Sequence, residues 1–203
     1  MFDTKREIIL DEGLPVDVID WQGNTLFSTK ALLGKATKQF FSEISLEYHR
    51  KAQFVPELDV KNGQIVRVIP TGEHYLIMAT YNEVFGTEKL ATITRLVECN
   101  NEVLIQTLVE TADDDGNIYR TPTPIVNGLK AYVEMKGGDL VQYKPGLQSR
   151  LEFDVYIPVI DVEVLDQIHL NINGKFVPFK VEYIDELSFQ GIMILRVSTE
   201  TRR

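Results

Sequence analysis

The sequence predicts an all-β (mainly β) protein made of two tandem small antiparallel β-barrel or sandwich domains with long loops. Three observations carry this. Short runs rich in Val, Ile, Tyr and Thr recur along the chain, parted by Asn-Gly, Asp-Gly, Pro-Gly and Gly-Gly turns, the pattern of strands and hairpins. No stretch predicts an amphipathic helix longer than two or three turns. Finally, Phe54-Val55-Pro56-Glu57-Leu58-Asp59-Val60 is echoed by Tyr156-Ile157-Pro158-Val159-Ile160-Asp161-Val162, an offset of 102 positions that is close to half of the 203 residues. A period this long means two domains and not a solenoid array. The expected boundaries are 1–101 and 102–203.

The same offset, with no gap, carries Gly72 to Gly174 and Tyr81 to Tyr183, and matches Val66 with Ile168, Val68 with Leu170, Ile77 with Phe179, Ala79 with Val181 and Leu90 with Ile192. Taken in order, Ile8-Ile9-Leu10 is an apolar run that breaks at Asp11-Glu12-Gly13. Val16 to Trp21 and Thr25 to Ser28 flank the turn Gln22-Gly23-Asn24 and read as a hairpin, with Trp21 as its anchor. Thr29 to Gln39 reads as a long loop. Within it, Gly34-Lys35-Ala36-Thr37 lacks the upstream glycine of a phosphate loop, and its Lys is not followed by Ser or Thr. Ile44, Leu46 and Tyr48 alternate with polar residues, so Phe41 to Arg50 is expected as a strand. Leu58-Asp59-Val60, the turn Asn62-Gly63 and Gln64 to Val68 are expected to form a hairpin. Tyr75 to Ala79 is a strand, Asn82 to Lys89 a loop, and Leu90 to Cys99 closes the first domain.

In the second half, Glu102 to Glu110 opens the domain. Asp113-Asp114-Asp115-Gly116-Asn117 lacks the Gly and Glu that a calcium loop needs at its sixth and twelfth positions, and reads as an exposed turn. Tyr119 to Pro124 must be extended, because residues before proline avoid the helical region. Ala131 to Met135 is a strand ending at Gly137-Gly138. Met135 to Ser149 is expected as a second long loop, and Leu151 to Ile160 as a strand interrupted at Pro158. Ile168 to Ile172, the turn Asn173-Gly174 and Lys175 to Tyr183 form a hairpin. Ile192 to Val197 is the last strand, and Thr199 to Arg203 a polar tail.

Net charge of −9 argues against a protein that grips nucleic acid through a basic face. Cys99 is the only cysteine, which excludes an intrachain disulfide and a four-cysteine metal site. No signal peptide or spanning segment is expected. His49, His74 and His169 lack the helical spacing of a zinc pair. No nucleophile elbow or dinucleotide fingerprint is present. Asp59 and Asp161 are better explained as repeated turn residues than as paired carboxylates. The sequence therefore predicts no enzyme, with no catalytic, cofactor-binding or metal-ligating residues and no cofactor.

Thr121-Pro122, the strand Ala131-Tyr132-Val133, the strand ending at Pro158, and Asp166-Gln167-Ile168-His169-Leu170-Asn171-Ile172-Asn173-Gly174-Lys175-Phe176 together resemble the small β-barrel head-closure, or stopper, and related neck proteins of tailed bacteriophages. The first half carries the same ending in Asn62-Gly63-Gln64-Ile65 and Gly72-Glu73-His74-Tyr75. The resemblance implies a head-to-tail connector protein of the virion, assembled in the host cytoplasm. It would form a homo-oligomeric ring, hexamer or dodecamer, between the portal or adaptor and the tail-terminator or tail-tube proteins. DNA would be non-specific cargo in its lumen, with no membrane partner. The loops Thr29 to Gln39 and Met135 to Ser149 would be arms or gates. Two other readings stay open: an oligonucleotide-binding type of barrel stacking bases on Tyr75, Tyr81, Phe85, Tyr183 and Phe189, and a carbohydrate-binding β-sandwich using Trp21.

Overall fold

The computed structural model describes residues 2–35, 48–112, 118–143 and 146–199, and only the backbone at 2, 3, 111, 118, 137–143 and 146–151. One helix opens the chain, α1 (Phe2–Glu12). Strands follow as β1 (Leu14–Ile19), β2 (Thr25–Lys35), β3 (His49–Phe54), β4 (Ile65–Val68), β5 (His74–Phe85) and β6 (Glu88–Glu98). The second set is β7 (Asn101–Ala112), β8 (Ile118–Tyr143), β9 (Gly146–Pro158), β10 (Gln167–Ile172), β11 (Lys175–Asp185) and β12 (Ile192–Thr199). The chain divides into two compact units, Met1–Cys99 with Ser188–Ile192, and Asn100–Leu187 with Met193–Arg203.

Each unit holds a closed antiparallel barrel. The first runs β1-β2-β3-β6-β5-β4 and the second β7-β8-β9-β12-β11-β10. The strand order is the same in both, so the architecture itself is duplicated. Closure leaves no edge within either wall. Inside the first barrel lie Val16, Val18, Ala52, Phe54, Val66 and Ile77, all fully buried. The second is filled by Val103, Ile105, Val155, Ile157, Ile168 and Leu170, and Phe153 meets Phe179 edge-on with ring centroids 5.2 Å apart. These positions alternate along their strands because successive side chains point to opposite faces.

The offset of 102 holds best around the entry to β4 and β10. Gln64 accepts a hydrogen bond on its side chain from the Lys61 amide at 2.9 Å, and Asp166 does the same for Glu163 at 2.8 Å. The Gln64 and Asp166 amides donate back to the Lys61 and Glu163 carbonyls. Gly63 has φ 80° and its counterpart Leu165 has φ 88°. The wall pairings agree: Val66 and Val68 face Val18 and Val16, as Ile168 and Leu170 face Ile105 and Val103.

Beyond that point the gapless register fails. Val66 pairs with Tyr75, but Ile168 pairs with Phe179, so β11 is displaced by two positions relative to β5. Ile77 corresponds to Val181, not to Phe179, and their amides donate to the Gln64 and Asp166 carbonyls at 2.9 Å in both units. The cause is the turn. β10 and β11 run to a two-residue Asn173-Gly174 turn in which both residues have positive φ, whereas Ile69 to Glu73 form a longer connection between β4 and β5. Gly72 and Gly174 both sit at positive φ, but in turns of different length. Tyr81 and Tyr183 are not equivalent.

Other expectations change too. Ile8-Ile9-Leu10 lies inside α1, which ends where the Gly13 amide donates to the Ile9 carbonyl at 3.0 Å. A Cβ on Gly13 would stand 2.3 Å from that oxygen. Leu58 to Val60 forms no strand; Asn62-Gly63 is a turn into β4 but not a hairpin tip. Asn82 to Lys89 is not a loop, since β5 and β6 stay paired out to Phe85 and Glu88. Thr29 to Lys35 belongs to β2, and the rest of that expected loop, with most of the expected strand from Phe41 to Arg50, lies outside the described residues. So do the acidic turn Asp113 to Asn117 and the end of the polar tail. Met135 to Ser149 is a hairpin: β8 continues through Gly137-Gly138 and pairs with β9 as far as Tyr143 and Gly146.

Candidate functional site

Two kinds of feature stand out from the barrel walls: hairpins that outrun them, and an apolar groove. β7 and β8 remain paired to Ala112 and Ile118, while β10 accompanies β7 only from Val103 to Gln106. The ribbon beyond Gln106 carries Val109 and Tyr119, which are exposed, and a cross-strand ion pair in which Arg120 reaches Glu110 at 2.8 Å. β8 and β9 form the second long hairpin of this unit. Among the described residues of the first unit, β5 and β6 make a comparable extension, tipped by Val84 and Phe85, which are 61% and 66% exposed.

The groove belongs to the first unit. It has a volume of about 520 Å³ between α1 and the β5–β6 hairpin, with Ile8, Leu32, Gln53, Phe85 and Leu90 on its walls. The helix reaches this place through Ile9, fully buried against Val55 and Ala91. Ion pairs from Lys5 to Glu83 and from Arg6 to Glu57 fix its flanks. Its C-terminal turn carries no basic residue and ends in Asp11 and Glu12, so the helix dipole does not hold it; tertiary contact does. The volume suits a small ligand. Its one charged wall residue is Lys5, already paired with Glu83, so the groove offers shape and apolar surface but no nucleophile with its base.

Charged side chains elsewhere form structural pairs. Asp17, buried on the first barrel, accepts from Arg67 and from the Ser28 hydroxyl at 2.6 Å. The Arg67 hydrogen bond, helped by Ser28, holds the Asp17 carboxyl below its ordinary range. On the second barrel buried Asp154 sits between Arg196 at 3.2 Å and Lys136 at 3.7 Å. Tyr156 packs against Tyr132 with centroids 5.5 Å apart. Its phenol is pushed up to about 12, first by burial and then by the Glu134 and Asp154 charges.

The histidines are not brought together. His49 is buried on β3, and that burial lowers its pKa. His74 starts β5 and pairs across to Arg67. His169 lies in the other unit, with its ring 2.9 Å from the Gln106 side-chain amide. Asp59, in the first unit, pairs with Lys61 at 2.9 Å, and Asp161 is exposed in the second unit. Among the described residues no group of three or more His, Cys, Asp or Glu could hold a metal ion. No helix of the described residues is long and apolar enough to cross a membrane.

Of the aromatics named for base stacking, Tyr75 is unusable: it is 3% exposed and its hydroxyl donates to Glu73 at 2.9 Å. Tyr81, Phe85, Tyr183 and Phe189 are exposed. Sequence reasoning missed the groove, because α1 shows a single fully buried residue and no apolar stripe. Comparison with known proteins adds nothing to this geometry: no family model, no curated protein and no solved structure matches the chain.

Proposed function

We propose that this chain is a structural protein of the tailed-bacteriophage neck, a ring subunit placed between portal or adaptor and tail around the DNA channel. The observation that carries the reading is the pairing of two closed barrels of identical strand order with hairpins that outrun the second barrel's wall. Rigid closed walls with projecting ribbons suit docking between subunits, since main-chain groups on a ribbon edge can join a neighbour. The acidic balance suits a lumen that lets DNA slide, because few clustered cations are offered to phosphates. The resemblance of Asp166 to Phe176 and of Asn62 to Ile77 to head-closure barrels points the same way.

In this role the chain does no chemistry. Its partners are further copies of itself, the portal or adaptor ring on one side and tail-terminator or tail-tube protein on the other. The test is co-sedimentation of the purified chain with portal rings from the same virion. A complex of fixed stoichiometry that survives 0.5 M salt (a concentration chosen to exceed the range in which exposed charges dominate, roughly 0.1–0.2 M) supports the reading. Retention on single-stranded DNA that disappears with salt, with no portal binding, would replace it with the nucleic-acid-binding alternative.

A further inference from the structure

Three threonines interrupt the apolar lining of the first barrel. Between β3 and β6 the register sets Ala52 opposite Thr94 and Phe54 opposite Thr92. Between β5 and β6 it sets Thr80 opposite Thr94 and Asn82 opposite Thr92. Directly opposed residues share a face of the sheet. Ala52, Phe54 and Leu96 belong to the barrel core, and Thr94 and Thr92 continue the alternate positions of Leu96 along β6. Both therefore point inward, and Thr80 and Asn82 point inward with them.

The hydroxyls on this wall are cut off from solvent. Thr94 is 0% exposed and Thr92 1%. Thr80 is half-buried, but its hydroxyl oxygen is buried as well. Among the described residues, none of these three oxygens has a hydrogen-bond partner. An unpaired hydroxyl inside an apolar core costs free energy that valine, with the same shape, does not. Buried polar groups are as a rule paired with protein or with ordered water.

The surroundings select the ligand. Thr80 and Thr94 face each other across two strands, which places their Cβ atoms about 5 Å apart. Their hydroxyls do not bond each other, and a gap of this order takes one water between them. Thr92 stands next along β6 on the same face. Three successive strands carry Ala52, Thr94 and Thr80 in one row, where the neighbouring row carries Leu96 and Ile77. The shorter side chains leave room in an interior that side chains otherwise fill. Each hydroxyl can donate or accept, so together they serve both the protons and the lone pairs of water. An ion would find no compensating charge among Ala52, Phe54, Ile77 and Leu96. Asn82, exposed and opposite Thr92, marks the end of the row that solvent reaches.

We propose that Thr80, Thr92 and Thr94 form a buried water site in the first barrel, in which an ordered water bridges the three hydroxyls. Three partners match the roughly three hydrogen bonds that a buried water makes.

Magnetic relaxation dispersion of the water oxygen, on the full chain, tests this. It detects waters held for longer than the protein takes to tumble, and exchange of hydroxyl protons does not imitate them. Recording it at rising temperature keeps slow exchange from concealing the site. Thr80→Val/Thr94→Val leaves a single hydroxyl, fewer than the two partners a buried water needs. The dispersion amplitude should fall by about one water. Thr80→Ser/Thr94→Ser, which keeps both hydroxyls, should hold the wild-type amplitude. Should the valine pair fail to fold, judged by its amide spectrum, Thr92→Val/Thr94→Val reads the same loss. Folded valine variants that keep the full amplitude overturn the proposal. So does a loss that the serine variant shares, since the hydroxyls would then not be what holds the water. The site lies inside one barrel and reads alike in a single copy or a ring, so its failure leaves the neck assignment untouched.

Discussion

Gly63 and Leu165 occupy the same turn in the two units, yet only one is suited to it. A positive φ costs a residue with a side chain roughly 1–2 kcal/mol, and glycine nothing comparable. Leu165 is exposed at φ 88°, so its side chain contributes little packing in return. Leu165→Gly should therefore raise stability, by up to about 1 kcal/mol after the extra entropy of glycine in the unfolded chain is counted. Gly63→Ala should do the reverse and cost more than about 2 kcal/mol, because a Cβ there would lie 2.0 Å from the Gly191 carbonyl oxygen within the first unit. Urea unfolding of the two variants checks both signs. The buried phenols make a second prediction. Tyr75 and Tyr156 are both raised from 10 to about 12, chiefly by burial. Folding thus favours the protonated phenol, so this stability is complete below pH 10 and is lost as the pH rises through 12. Tyr156→Phe has no proton to lose, and its melting temperature should fall less steeply than that of wild type between pH 10 and 12.

At the scale of elements, α1 has one fully buried anchor. Ile9 is fully buried against Val55 and Ala91, and an isolated helix of this length is not stable in water. Ile9→Ala should cost about 2–5 kcal/mol. It should release α1, seen as rapid amide exchange from Lys5 to Leu10, while the second unit keeps its protection. The sequence made some elements plain and hid others. Asn173-Gly174 tips a two-residue hairpin as expected, because alternating strands flank it on both sides. Asn62-Gly63 carries the same dipeptide, but Leu58 to Val60 finds no partner strand, and the turn only redirects the chain into β4. Gly137-Gly138 was expected to end a strand; paired backbone carries β8 past it, since ladder hydrogen bonds do not need side chains. The duplication was visible at Pro56 and Pro158, but a connection that differs in length between β4–β5 and β10–β11 moves the register by two residues, and no identity count reveals that. Barrel and sandwich were both open from the sequence; closure decides for the barrel, and it depends on β1–β4 and β7–β10 pairings far apart in the chain.

For the whole molecule, the proposed role is assembly: one closed-barrel plan, used twice, would provide a scaffold whose projecting ribbons and exposed apolar tips meet neighbouring subunits. Asp17 with Arg67, and Asp154 with Arg196 and Lys136, brace barrel walls. The measurement that bears most directly on the proposed role is single-particle electron microscopy of the purified chain, alone and with portal rings. The account predicts annular particles of six or twelve copies with a central channel, seated on the portal when it is present. Particles that remain single copies under both conditions, with the portal bare, would contradict it.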